Sequence, residues 1–234
     1  MKNTYSIEFE KFFSYSFSLD CLIFGYKNGE IHLLLIKRNI EPYLGEWAIP
    51  GDLVYPNEDL PQAASRILFE LTQLKDLQLH QGGTFGAPDR HPMGRVITCA
   101  YFALVQMDEL NAIASSWANE IAWIPIYKIK KLAFDHNSIV DSTLEILQYK
   151  LKTQPVCFDL LPEKFTLNEL QCLYEAAFNE ALNKANFRKK IKTIPFLKTN
   201  EKEKNVSHRP AILYSFDTNK YERLVSNELF KFKM

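Results

Sequence analysis

Residues 51–74 restrict the fold more than any other part of this chain. The stretch opens Gly51-Asp52-Leu53-Val54-Tyr55-Pro56-Asn57-Glu58 and then sets Leu60, Ala63, Ala64, Ile67, Leu68, Leu71 and Leu74 at intervals of three and four. Such spacing gathers the apolar side chains into one buried stripe on a helix fed by a loop. Asp59 can cap that helix, and Pro61 falls in its first turn, where an N–H would have no partner. On the polar side Arg66 and Glu70 stand four residues apart, close enough to pair, and Glu58 lies in the polar loop.

The surrounding pattern predicts a mixed α/β domain. Residues 19–26 and 31–36 read as two strands joined at Asn28-Gly29, a pair suited to a tight hairpin turn. Gly82-Gly83 reads as a break, residues 96–106 as a long apolar strand, residues 121–124 as a further strand, and residues 139–151 as a helix capped from Phe134-Asp135-His136-Asn137. Residues 1–16 are polar and aromatic, the composition of a loosely attached arm.

Thr153-Gln154-Pro155 interrupts this pattern, which places a linker there and divides the chain into residues 1–152 and 153–234. Thr166 caps a helix over residues 167–178, with Glu169 three positions on as a capping box requires. A short turn leads to a second helix over residues 183–191, then a charged loop over 198–207 and a strand over 211–216. Two short helices followed by a β-hairpin with a basic loop outline a winged helix-turn-helix.

Charge follows the same division. The chain holds 28 basic and 28 acidic side chains, but residues 153–234 carry fourteen basic against ten acidic. Residues 181–210 hold nine basic and two acidic side chains, an excess of seven positive charges. Phosphate backbones attract such a patch, while arginine, lysine and asparagine read base edges. Lys184, Asn186, Arg188, Lys189 and Lys190 on the second helix, with His208 and Arg209 at the base of the wing, are therefore the candidate DNA contacts; Phe187 and Ile191 are the core anchors. A solvated basic helix is the plainer alternative. Cys21, Cys99, Cys157 and Cys172 form no metal-ligand spacing, so a metal site or disulfide framework is not expected. With no signal sequence and no apolar run near the roughly 20 residues of a membrane span, a cytoplasmic location is expected.

The first motif resembles a Nudix box: glycine, five residues, glutamate, seven residues, Arg-Glu, an aliphatic, any residue, Glu-Glu, any residue, glycine. Glu58, Arg66, Leu68 and Glu70 fit that frame, and Gly51 stands one place early. Asp52 occupies the first glycine's position, Ile67 and Leu71 replace two helix glutamates, and Gln73 replaces the last glycine. In that family the helix glutamates hold magnesium, which requires hard oxygen ligands. The resemblance therefore implies a Nudix-like domain with a degenerate box, catalytically inactive, needing no metal or cofactor. A magnesium-dependent hydrolase of a nucleoside diphosphate derivative such as ADP-ribose is the alternative.

Together with FTLNELQCLYEAAFNEALNKANFRKKI and HRPAILYSF, the box remnants make residues 17–223 similar to Nudix-related transcriptional regulators of the NrtR and AraR types. This resemblance implies an effector-sensing domain joined to a winged helix that grips double-stranded operator DNA as a homodimer. It implies a small-molecule effector in the former substrate cleft, a pentose such as L-arabinose first and a phosphorylated sugar or ADP-ribose second. Candidate contacts are Arg38, Trp47, Asp89, Arg90, Arg95, Tyr101, Asp135 and His136. Trp47 and Tyr101 also read as core, Asp89-Arg90 as a surface ion pair and Asp135 as a helix cap.

Overall fold

A run of seven buried residues marks the first strand as core. In the computed structural model, which describes residues 15–107, 110–204, 207 and 209–226, β1 (Ser16–Lys27) buries every side chain from position 19 to 25. β2 (Glu30–Arg38) follows through Asn28 and Gly29, both at positive φ (52° and 77°), as a tight hairpin of this hand requires. The expected arm lies largely outside the described residues.

Among the described residues β1 and β2 belong to a seven-stranded mixed sheet. The other strands are β3 (Trp47–Ala48), β4 (Gly51–Leu53), β5 (His80–Phe85), β6 (Val96–Gln106) and β7 (Ala118–Pro125). The order is β3-β2-β1-β6-β5, with β4 paired to β1 and β7 to β2. Gly82 and Gly83, expected to break the chain, lie within β5 instead. The ladder with β6 shifts register between Gln81 and Thr84, and a Cβ on Gly82 would come within 3.2 Å of the Ala100 carbonyl oxygen, so the glycines serve a bulge at close quarters.

Helix α1 (Leu60–Thr72) forms as its sequence dictates. The Asp59 side chain accepts from the Gln62 amide, the Gln62 side chain accepts from the Asp59 amide, and Pro61 sits in the first turn. Ala63, Ala64, Ile67, Leu68 and Leu71 are buried, and the Cys21 thiol of β1 donates to the Ala64 carbonyl. Gln73, at the place of the motif's final glycine, ends the helix in the left-handed region (φ 60°, ψ 8°). The backbone thus keeps the conformation that glycine favours, although the residue has changed. A 3-10 turn (Ile126–Lys128) and helix α2 (His136–Thr153) follow β7.

The chain divides into two compact units. Of the described residues, one holds 15–24, 33–103 and 110–144; the other holds 25–32, 104–107 and those from 145 on. In the second, β8 (Phe165–Thr166) leads into α3 (Leu167–Phe178), α4 (Lys184–Ile191), β9 (Leu197–Lys202), β10 (Ile212–Phe216) and α5 (Thr218–Ser226). The Thr166 hydroxyl accepts from the Glu169 amide at 3.1 Å and the Glu169 carboxylate accepts from the Thr166 amide at 2.7 Å, the anticipated capping box. The stretch expected to be a charged loop begins as a strand, because β9 pairs with β10 in a three-stranded sheet of order β8-β10-β9. A charged edge strand with one paired side suits a wing.

Because Gln73 carries a side chain in a left-handed conformation, Gln73→Gly should raise stability by about 0.5–1 kcal/mol. Urea unfolding reads this as a higher midpoint; an unchanged or lower one would show that the 3.2 Å bond from the Gln73 amide to the Phe69 carbonyl outweighs the strain.

Candidate functional site

Asp20 sits in the middle of β1 with only 4% of its surface exposed, so its charge must be met from within. The Thr98 hydroxyl of β6 donates to it at 2.7 Å, His136 Nε2 lies 3.4 Å away, and the Arg90 guanidinium approaches to 3.7 Å. Arg90 is buried and makes a bidentate pair with Asp135 at 3.0 and 2.8 Å. His136 Nδ1 accepts from the Ile49 amide at 3.0 Å, which leaves Nε2 to carry the proton toward Asp20. Burial pushes the His136 imidazole below its ordinary value of 6.5, and Arg90 and Arg38 add to that, against Asp20 and Asp135. Gly51 makes this packing possible: a Cβ there would lie 2.2 Å from Asp20 Oδ1.

Above this cluster opens a cavity of about 430 Å³, within the ordinary size for small-molecule sites of about 300–1,000 Å³. Its walls include Arg38, Arg90, Arg95, Trp117, Phe134 and His136 together with the carboxylates of Asp20, Glu41 and Asp52, and β4 runs along one side. The Arg38 guanidinium lies 4.9 Å from the Trp117 ring and 5.0 Å from the Phe134 ring, and its Nε donates to the Pro42 carbonyl at 2.8 Å. Two aromatic faces and one bond fix its direction. His91 stacks on Phe134 with ring centroids 5.1 Å apart, and burial lowers its affinity for a proton. Arg95 donates to the Gly86 carbonyl.

Four of the eight anticipated contacts, Arg38, Arg90, Arg95 and His136, therefore line the cavity. The other four do not. Asp135 stands behind Arg90 as its partner rather than capping α2 with its side chain. Asp89 is exposed and is not the partner of Arg90, contrary to the ion pair its sequence neighbour suggested. Tyr101 is buried in β6, and Trp47 is half-buried in β3 beside Lys37, both away from the cavity walls. Asp20, His91, Trp117 and Phe134 line the cavity as well; the first three carry no motif in the sequence, and Phe134 reads there only as part of the run that caps the next helix.

The box remnants perform a different task. Arg66 bonds Glu58 through Nε at 2.8 Å and through a second nitrogen, bonds Glu70 at 3.0 Å, and donates to the Leu53 carbonyl at 2.9 Å. Its guanidinium also lies 3.8 Å from the Tyr55 ring. The bond from Arg66 holds the Glu58 carboxyl below its usual range. Both surviving carboxylates are thus occupied by Arg66: Glu58 ties the loop to α1, and Glu70 braces Arg66 along the helix. Ile67 and Leu71, at the positions of two metal-holding glutamates, are 0% and 1% exposed. These residues do not fit a magnesium site.

In the second unit, the short turn between α3 and α4 is fastened from α3. The Leu182 amide donates to the Glu175 carboxylate at 2.9 Å, while Gln171 Nε2 bonds Glu175 at 2.9 Å and the Leu182 carbonyl at 3.1 Å. Asn183 caps α4, and Phe187 and Ile191 are its buried anchors. Lys184, Asn186, Arg188, Lys189 and Lys190 are all exposed on this helix. Arg209 is exposed as well, whereas His208 lies outside the described residues. On the wing Lys198 pairs with Asp217 at 2.9 Å, and Glu201 binds both Lys164 and Lys204, whereas among the described residues no carboxylate pairs with the cations of α4.

A mixed-sheet α/β domain with a cavity lined by arginines, carboxylates and aromatic rings, and a second unit with a helix pair and a wing, define a Nudix-fold domain and a winged helix in one chain. The family models agree: the NUDIX domain model matches residues 17–142 and the NrtR DNA-binding winged helix domain model matches residues 157–216. The chain belongs to the NrtR family of Nudix-related transcriptional regulators. It is 31% identical over 210 residues, 88% of its length and 83% of the relative's, to the ADPR responsive transcriptional repressor NtrR of Acinetobacter baylyi. Shewanella oneidensis NrtR bound to a 27mer DNA superimposes with a TM-score of 0.72 at 26% identity, covering 92% of this chain and 97% of that one. The NUDIX domain of the same protein in complex with ADP ribose gives 0.54 at 26% identity over 63% of this chain and 99% of that one. The chain is also 35% identical over 108 residues, 46% of its length and 63% of the relative's, to an ADP-ribose pyrophosphatase of Methanocaldococcus jannaschii.

Two outcomes follow from this geometry. Ile67→Glu should destabilise the protein by about 3 kcal/mol or more, because the carboxylate would enter the core and not the cavity; a near-wild-type urea midpoint would place position 67 on the cleft instead. For pH, His136 and His91 both resist protonation when folded, so the unfolded chain takes up these protons first. Their contribution is fully present above about pH 6.5 and declines as the pH falls below it. Urea midpoints from pH 8 to 5 should fall, and His136→Gln should flatten the slope.

Proposed function

We propose that this chain is a cytoplasmic, homodimeric transcriptional regulator whose first 152 residues sense ADP-ribose or a closely related nucleotide and whose residues 153–234 bind operator DNA. The observation that carries the reading is a cavity walled by arginines and aromatic rings, in the same chain as a helix-turn-helix with five exposed polar and cationic side chains on its second helix. Cations answer a diphosphate, and flat rings offer a surface to a base. A pentose carries no charge and leaves Arg38 and Arg95, which bond no carboxylate among the described residues, without an anion, so the sugar expected from the AraR-type resemblance yields to the nucleotide. The relatives that respond to or were solved with ADP ribose support this choice.

The domain acts as a sensor and not as an enzyme in this reading, since Arg66 engages both remaining box carboxylates. A hydrolase reading has the pyrophosphatase likeness behind it. It requires metal-dependent turnover, so incubation of ADP-ribose with magnesium and the protein distinguishes the two.

For DNA, Arg188 and Lys189 face away from the Phe187 and Ile191 anchors. The double variant Arg188→Ala, Lys189→Ala should weaken binding to a selected duplex tenfold or more while preserving the thermal transition. Its salt dependence should also be shallower by about one to two in log–log slope, as two phosphate contacts are lost. Gel-shift titration at several salt concentrations measures both, and unchanged affinity would remove α4 from the interface. ADP-ribose added to the wild-type complex should change the fraction of duplex bound; a fraction indifferent to the ligand would exclude it as effector.

A further inference from the structure

The cavity's three arginines are not equivalent. Arg90 is neutralised by the bidentate Asp135 and faces Asp20, so its positive charge is already met and its geometry is fixed by the protein. Arg38 and Arg95 hydrogen-bond only main-chain carbonyls, of Pro42 and Gly86, and neither pairs with a carboxylate among the described residues. Arg38 is moreover held between two rings, which aims a fixed donor set, and the Asp52, Asp20 and Glu41 carboxylates of the same cavity act on it at a distance without a hydrogen bond among the described residues. A second fact bears on the same ligand: in a Nudix domain the diphosphate's charge is ordinarily offset by magnesium on helix carboxylates, and here those carboxylates belong to Arg66 while Ile67 and Leu71 are core.

We propose that Arg38 and Arg95 form the diphosphate-binding pair of this cavity and replace the divalent cation, so that the effector binds independently of metal. Arg90 is a positioning residue: it braces Asp20, Asp135 and the loop that carries Arg95. This rests on the nucleotide reading given above, and extends it to how charge is neutralised. Two guanidinium groups supply two positive charges and forked donors for phosphate oxygens. They do so without the octahedral oxygen shell that magnesium demands.

Calorimetric titration of the full-length protein with ADP-ribose and, separately, with inorganic pyrophosphate tests it, each in magnesium and in EDTA. Expected are equal affinities in the two buffers. Arg95→Ala, at the half-buried edge of the cavity and safest for folding, should cost roughly tenfold or more for both ligands, the size of one charge-assisted bond. Arg38→Ala should do the same, and Arg38→Lys should fail to restore binding because a point charge does not keep the stacked fork. Near-ultraviolet circular dichroism shows that each variant remains folded. Binding that disappears in EDTA and returns with magnesium overturns the proposal, as does wild-type affinity in folded Arg95→Ala. Binding of pyrophosphate but not of ADP-ribose, lost in Arg95→Ala, defeats the nucleotide reading and leaves the arginine pair standing; binding of neither ligand in either buffer overturns the pair itself.

Discussion

A carboxylate in the middle of a buried strand sets the terms for the first unit. Removing Asp20 from water is costly, and the molecule offsets that cost with a hydroxyl from β6, an imidazole from the start of α2 and a guanidinium from the 86–95 loop. Each of those partners is itself fixed: His136 by the Ile49 amide, Arg90 by Asp135. The sheet, the loop before β4 and the entry to α2 are thereby registered against one another at one point. The cavity wall is the outer surface of this network, so its shape is a consequence of how a buried charge is satisfied.

The same economy explains the altered box. Arg66 holds loop and helix together through Glu58 and the Leu53 carbonyl, while Glu70 braces it along the helix. The vacated helix positions have joined the hydrophobic core. A cation still organises the loop, but it is covalently part of the chain and cannot be exchanged.

Much of this was legible in the sequence because it depends on local rules. Apolar spacing located α1, the Thr166–Glu169 capping box located α3, Phe187 and Ile191 marked α4, and Asn28-Gly29 located the hairpin. The basic run marked α4 because solvated charge leaves a compositional trace. The cavity was legible only in part, since its walls come from β1, the loops around Arg38 and Arg90 and the turn at Phe134, far apart in sequence. Asp20 looked like any polar residue at the start of a strand, and Asp135 like a cap, until the partner that each requires came into view. Gly82-Gly83 and the charged stretch before residue 202 misled for a related reason: sheet pairing overrode the local preference of glycine and lysine.

The fastening of the turn between α3 and α4 has a mechanical meaning. Glu175 and Gln171 hold both the amide and the carbonyl of Leu182, and Glu175 gains from that arrangement, its carboxyl lying below the usual range chiefly through the Gln171 bond. With its entrance pinned on two sides and its own face anchored by Phe187 and Ile191, α4 has no hinge of its own. A helix so tied changes its aim only together with α3, so the angle between the two is kept by side-chain bonds to a single turn residue.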